Sequence, residues 1–362
     1  MKSFQAQFTK ILLTVALTLP AFVHAEQDSA PVFVDPFSQV PKGKCISGAR
    51  ERDGPEAFAH LATLLAPTAN ASAKNAVDLM GYIRDWDSPD CTFNDGRPKL
   101  SALLSILSSA FDNAPDKELK LQRIMELKAT YPNSPLGVLA EANYWSSYAW
   151  HARGHGYNSS VTPEGWRLFH ERMEKAEQVL TENKAAGDVL PNWYELMLEV
   201  KGALGRSEED RSKIFYEGAK KYKTYLPLYF QMANFTQPLW GGSWKAVDDL
   251  VTWSVNNTKD TEGQTLYARI YWSVGQNLVY RDNLFAVSMA KWPKMRAGFE
   301  DLMTRHPKSK WNLNNFAMFA CHAGDKKTFL SLRKKMADDI VDKAWPSTVS
   351  LELCESKFGY KK

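Results

Sequence analysis

Apolar residues recur at three- and four-residue spacing through most of this chain, and period-two alternation is scarce. Residues 134–153, SPLGVLAEANYWSSYAWHAR, place Leu136, Leu139, Ala140, Tyr144 and Tyr148 on one helical stripe. Residues 207–223, 242–256 and 325–340 follow the same pattern. Ser207, followed by Glu208, Glu209 and Asp210, reads as an N-cap with acids in the first turn.

Punctuation between the stripes organises them into pairs. Some junctions carry proline (Pro132, Pro191, Pro227, Pro307), and others carry glycine or a turn residue (Gly154, Gly205, Gly241, Asp282, Gly324). Glycine closes one helix and proline opens the next. The pattern predicts five helical hairpins: 134–153 with 163–186, 191–204 with 207–223, 227–239 with 242–256, 262–281 with 285–305, and 309–323 with 325–340. Pro191 and Pro227 are 36 residues apart, close to the period of helix–turn–helix arrays, but other intervals are longer. The expected fold is therefore all-α: an irregular α-α solenoid of five to six hairpins spanning residues 116–340. An N-terminal extended segment and helical cap (26–115), with helices near 56–66, 71–84 and 99–130, precedes it. A C-terminal capping tail (341–362) follows, since terminal repeats must cover an exposed apolar end.

LKATYPNSP (127–135) and LMTRHPKSK (302–310) resemble each other, and both lead into a long helix ending at glycine. Such a turn resembles the junction between tetratricopeptide repeats. The stretches KTYLPLYFQMANFTQPLWGGSWKAVDDLVTWSV (223–255), LYARIYW (266–272) and WNLNNFAMFACHAGD (311–325), with ARGHGY, extend the likeness. Together they resemble an uncharacterised bacterial family of exported tetratricopeptide-like helical proteins, over roughly residues 120–340. That resemblance implies the fold and lends no catalytic residue. The chain departs from it at His155, where a small residue is expected.

The leader sets the compartment. Residues 1–25 carry Lys2 and Lys10, the apolar run ILLTVALTLPAFV, and Val23-His24-Ala25 before Glu26. That is the layout of a signal peptide cleaved after Ala25, and the run is shorter than the roughly 20 apolar residues of a membrane span. The expectation is a periplasmic or secreted chain without a stable membrane span. Four cysteines remain. In an oxidising compartment they suggest two disulfides, and their clustering favours Cys45–Cys91 and Cys321–Cys354 over the other pairings. The formal charge of +4 falls to +2 without the leader, and no basic stripe stands out, which argues against nucleic acid as a partner.

Candidate chemistry is thin. His151 and His155 have the four-residue spacing of a two-histidine metal motif, but Gly154 and Gly156 break the helix and no third ligand is fixed. His170-Glu171 begins a zincin motif that position 174 does not complete, and Ser331-Leu332-Arg333-Lys334 lacks the partner motifs of a penicillin-interacting enzyme. No catalytic residue, metal site or cofactor is therefore expected. The twelve tryptophans are the remaining signal, filling space between hairpins or lining a groove. First helices line the concave face of such arrays, which makes Tyr144, Tyr148, Arg153, Tyr267, Arg269 and Tyr271 the candidate partner-binding residues. The leading expectation is a non-enzymatic protein that binds a protein or peptide of the cell envelope on that face. Alternatives are a cell-wall glycan-binding or glycan-cleaving protein, which needs a carboxylate of raised pKa in a cleft, and an inhibitor of the immunity type.

Overall fold

A computed structural model describes residues 53–56, 91–109, 116–154, 156–276, 278 and 283–360. All lie in the compact unit Pro36–Lys362, as distinct from Met1–Asp35. The leader, Cys45 and His155 lie outside the described residues, as do the helices expected near 56–66 and 71–84, apart from the first turn at 54–56. The described chain is all-α, its only β feature an isolated bridge between Thr92 and Pro98. None of its helices is long and apolar enough to cross a membrane.

The helices of eight or more described residues are α1 (Lys99–Ser109), α2 (Lys117–Thr130), α3 (Pro135–Arg153), α4 (Pro163–Glu182), α5 (Pro191–Ala203), α6 (Glu208–Lys221) and α7 (Leu226–Thr236). They continue with α8 (Trp244–Glu262), α9 (Thr265–Gly275), α10 (Trp292–Arg305), α11 (Lys310–His322), α12 (Lys326–Met336) and α13 (Leu351–Phe358). The five expected hairpins are present as α3/α4, α5/α6, α7/α8, α9/α10 and α11/α12, each packed as a pair, although in the fourth α9 ends at Gly275 instead of 281 and α10 begins at Trp292 instead of 285. First helices also pack on one another in sequence, α3 on α5, α5 on α7 and α7 on α9. They form a continuous inner row, which is the arrangement of a helical-repeat solenoid.

Local chemistry explains the boundaries. Ser134, Thr162, Ser207, Ser243 and Ser309 each accept a backbone N–H in the first turn of the helix that follows. Proline stands in the first turn of α3, α4, α5, α7 and α10, where its missing N–H costs nothing. The continuous helix expected over 99–130 is instead two. Asp116, just after Pro115, caps a new start by accepting Leu119 N–H at 2.7 Å. The hairpin helix expected to reach residue 340 stops at Met336, where Ala337 turns to a φ of +47°.

Large rings fill the space between helices. Trp193, Tyr194, Phe215, Tyr229, Phe299 and Phe319 are fully buried, and Phe299 stacks on Phe316 with centroids 5.0 Å apart. The C-terminal tail closes one end of the array: Cys354 of α13 is disulfide-bonded to Cys321 of α11, and Phe358 packs on Phe329. Cys91 is also disulfide-bonded, while Cys45, its expected partner, lies outside the described residues.

Candidate functional site

The six candidate residues fall into two groups three hairpins apart. In the first hairpin, Tyr144 is buried edge-on against Trp145, with ring centroids at 5.0 Å. Tyr148 is half-buried between two cations, its ring centroid 3.9 Å from Lys117 Nζ and 3.4 Å from the Arg172 guanidinium carbon. Arg153 donates to the carbonyls of Gly154 and Gly156 and to Asn158 Oδ1, and so holds the glycine exit of α3 in place. His151 is exposed, with Nδ1 at 3.4 Å from Lys117 Nζ.

In the fourth hairpin, Tyr267 and Tyr271 are buried and work as structural struts. The Tyr267 hydroxyl accepts Lys291 N–H at 3.0 Å, and the Tyr271 hydroxyl donates to Asp248 at 2.7 Å. Their rings present no face to solvent. The tryptophans mostly pack as well: Trp193 and Trp272 are buried, Trp145, Trp150, Trp166, Trp244, Trp253, Trp292 and Trp311 lie against the core, and Trp240 stands exposed.

Arg269 leads to a feature the helical pattern did not reveal. Residues 53–56 and 91–98 lie on the first helices of the fourth and fifth hairpins. The Asp95 carbonyl accepts from Arg269 Nη2 and, at 3.2 Å, from Asn312 Nδ2. The Asp95 carboxylate accepts Gly54 N–H at 3.1 Å, Arg97 N–H at 2.9 Å and Arg97 Nε at 3.0 Å. Arg97 Nη2 then reaches the Gly54 carbonyl at 2.8 Å. Asp53 docks on the start of α11, accepting both Trp311 N–H and the Ser309 hydroxyl at 2.8 Å. A carboxylate at a helix N-terminus satisfies unpaired amides and meets the positive end of the helix dipole. Gly96, at φ +83°, lies so close to His306 that a Cβ there would stand 2.2 Å from Nε2. Only glycine fits that turn.

Beside this clasp is a cavity of about 270 Å³. Phe230, Trp272 and Trp311 form apolar walls, Asp95, Arg97 and Arg269 supply charge, and exposed Pro55 and Gln276 stand at its rim. Trp272 and Trp311 lie 5.9 Å apart at 35°.

A second polar cluster sits on α3, α5 and the start of α7. Glu195 accepts from the Tyr225 hydroxyl at 2.7 Å and from Asn192 Nδ2, while Glu199 accepts from the Ser146 hydroxyl at 2.9 Å and Trp150 Nε1 at 3.1 Å. Among the described residues no cation pairs with either. Burial of the Glu195 carboxyl raises its pKa, the Tyr225 and Asn192 hydrogen bonds oppose the shift, and the Glu199 charge reinforces it. Neither this pair nor the clasp was singled out from sequence. The available signals were two glutamates four apart on the otherwise apolar PNWYELMLEVKGA, and an Asn-Asp-Gly turn in the loop beside Cys91. No known family model matches the chain, and comparison with curated proteins returns no relative.

Proposed function

We propose that this chain is an exported, non-enzymatic helical-repeat protein that holds a polypeptide segment of an envelope partner on the concave face of its array. One observation carries the reading: the first helices of the fourth and fifth hairpins already grip irregular polypeptide, the chain's own, through one of its carbonyls and one of its carboxylates. Arg269 and Asn312 take the Asp95 carbonyl, and Asp53 takes the Trp311 amide. Recognition of a carbonyl and a carboxylate by a rigid helical face suits a protein that binds segments of another chain. The signal-peptide pattern and the Cys321–Cys354 disulfide support an oxidising, periplasmic or secreted location. Kinship with the tetratricopeptide-like envelope family belongs to the same proposal.

The test is affinity capture from the cell envelope with the chain beginning at Glu26, followed by cross-linking. The expected result is one stoichiometric protein, cross-linked to residues of α3, α5 or α7. Retention on purified wall material with no protein recovered would sink the reading. Such retention would favour a glycan-binding or glycan-cleaving protein instead, with Glu195, whose pKa burial raises as it does that of Asp53, the candidate acid for cleavage. In that case Glu195→Gln would abolish wall solubilisation. The inward packing of the tryptophans speaks against that second reading, because a saccharide platform requires exposed rings.

A further inference from the structure

Among the described residues two arginines are almost wholly buried, and they are treated differently. Arg333, 2% exposed, donates Nε to the Glu355 carboxylate and Nη1 to the Ala337 carbonyl, and its guanidinium lies 4.8 Å from the Tyr360 ring centroid. Arg269, 4% exposed, makes a single hydrogen bond among the described residues, to the neutral Asp95 carbonyl. Its Nε is buried with no acceptor and is closed to water, so a ligand in the adjoining cavity meets the other atoms of the side chain. The nearby Asp95 carboxylate bonds Arg97 and the Gly54 amide and makes no hydrogen bond to Arg269. A buried guanidinium with one hydrogen bond among the described residues is a costly arrangement that the charges of Asp95, Glu262 and Asp53 offset only from outside hydrogen-bond contact, and an anion in contact would complete it.

The place for that anion is open. Arg269 lines the 270 Å³ cavity, where two guanidiniums face one carboxylate and the surrounding surface is aromatic. Drug-sized ligands occupy pockets of roughly 300–1,000 Å³, so this cavity takes one small group. A planar guanidinium favours a planar, bidentate oxyanion, and the Phe230, Trp272 and Trp311 walls favour an apolar body behind it. We infer that this cavity is a binding site for a carboxylate carried on a compact, flat apolar group, with Arg269 as the anion-binding residue and the two tryptophans as the wall. The same chemistry is offered by a free organic acid or by an acidic side chain beside an aromatic residue in a polypeptide. The inference goes beyond the polypeptide reading and does not depend on it.

The test uses the chain beginning at Glu26 and two isosteres, benzoate and benzamide, read by tryptophan fluorescence and thermal unfolding. Benzoate is expected to raise the unfolding midpoint in a concentration-dependent way and to bind at least about 10-fold tighter than benzamide. Arg269→Gln should lose about 10- to 100-fold in benzoate affinity, and Arg269→Lys, which keeps charge without the fork, should fall between. Ser273→Phe, on the cavity lining away from the buried hydrogen bonds, should block the site. It provides the decisive variant if Arg269→Gln does not fold. Acetyl-Gly-Phe-Glu-Gly-amide separates the sources: tighter binding than benzoate assigns the site to a polypeptide, weaker binding to a free acid. No binding of benzoate to the native chain, equal binding of benzamide, or full benzoate affinity in folded Arg269→Gln or Ser273→Phe overturns the inference.

Discussion

Replacing Asp53 tests whether the clasp stabilises α11 across more than 250 residues of chain. Its carboxylate accepts two hydrogen bonds of 2.8 Å at the start of that helix, from Trp311 N–H and the Ser309 hydroxyl, and a third of 2.9 Å from Gly54 N–H. Loss of a helix cap costs about 0.5–2 kcal/mol, and loss of a charge at the dipole about 0.3–1 kcal/mol. The cost of burying the carboxylate offsets part of this, which leaves about 1–2 kcal/mol for Asp53→Ala. A local loss of that size speeds amide exchange by about 5- to 30-fold. The assay is hydrogen exchange by mass spectrometry, read in the peptide covering residues 310–322 with the α6 peptide as an internal control. The sign of the pH dependence is also fixed. Burial raises the Asp53 pKa above its ordinary 3.8, the Trp311 amide bond opposes this, and like charge on Asp95 adds to it. Stability from this group is therefore fully present below the unfolded pKa and is lost as pH rises through the folded one. Asp53→Asn, which keeps an acceptor for Trp311 and loses the charge, should remove that pH-dependent loss. Unchanged exchange in α11 of Asp53→Ala, or equal acceleration in α6, would refute the reasoning.

Three further predictions follow from single positions. Cys321→Ser combined with Cys354→Ser opens a 33-residue separation and should cost about 3–4 kcal/mol in the chain-entropy model, read from the denaturant midpoint. Ala337→Gly relieves a non-glycine residue held at φ +47° and should raise that midpoint by an amount equivalent to about 0.5–1 kcal/mol; a fall would show that the Ala337 methyl matters more than the backbone. His322 accepts Leu284 N–H on Nε2 at 3.1 Å, so its ring must be neutral there. Burial, reinforced by Lys357, lowers its pKa below the ordinary 6.5. Its contribution is present above 6.5 and is lost as pH falls through the folded pKa, so exchange at residues 283–287 should accelerate on acidification in the native chain and not in His322→Gln.

The hairpins were legible in the sequence because their signals are local. A serine or threonine cap, a proline in the first turn and a three-to-four apolar stripe each act within a few residues, and Ser134-Pro135 or Thr162-Pro163 announces its helix unaided. The split between α1 and α2 is marked just as locally, by Pro115-Asp116, yet the reading from sequence ran one helix across it. The clasp was not legible. Nothing near Asp53 in sequence signals that it meets Ser309 and Trp311, and Arg269 reads on its own helix as one more polar position. The inward turn of Tyr267 and Tyr271 depends on Lys291 and Asp248, which the periodicity of α9 does not encode. Which aromatic residues face a groove is a property of neighbours brought in from elsewhere.

The clasp also changes how the array behaves as a polymer. A helical-repeat chain is quasi-one-dimensional: each unit is coupled to the next, and its ends fray independently. Bonds from Asp53 to Ser309 and Trp311, and from Asp95 to Arg269 and Asn312, join the earliest described residues to the fourth and fifth units. They turn an open row of coupled units into a closed circuit, in which the far units cannot loosen without releasing Asp53 and Asp95. During synthesis the order is inverted. Residues 53–56 and 91–98 emerge early but stay without this binding surface until residue 312 has followed, so the hairpins can form one by one from local contacts while this closure waits for almost the entire chain.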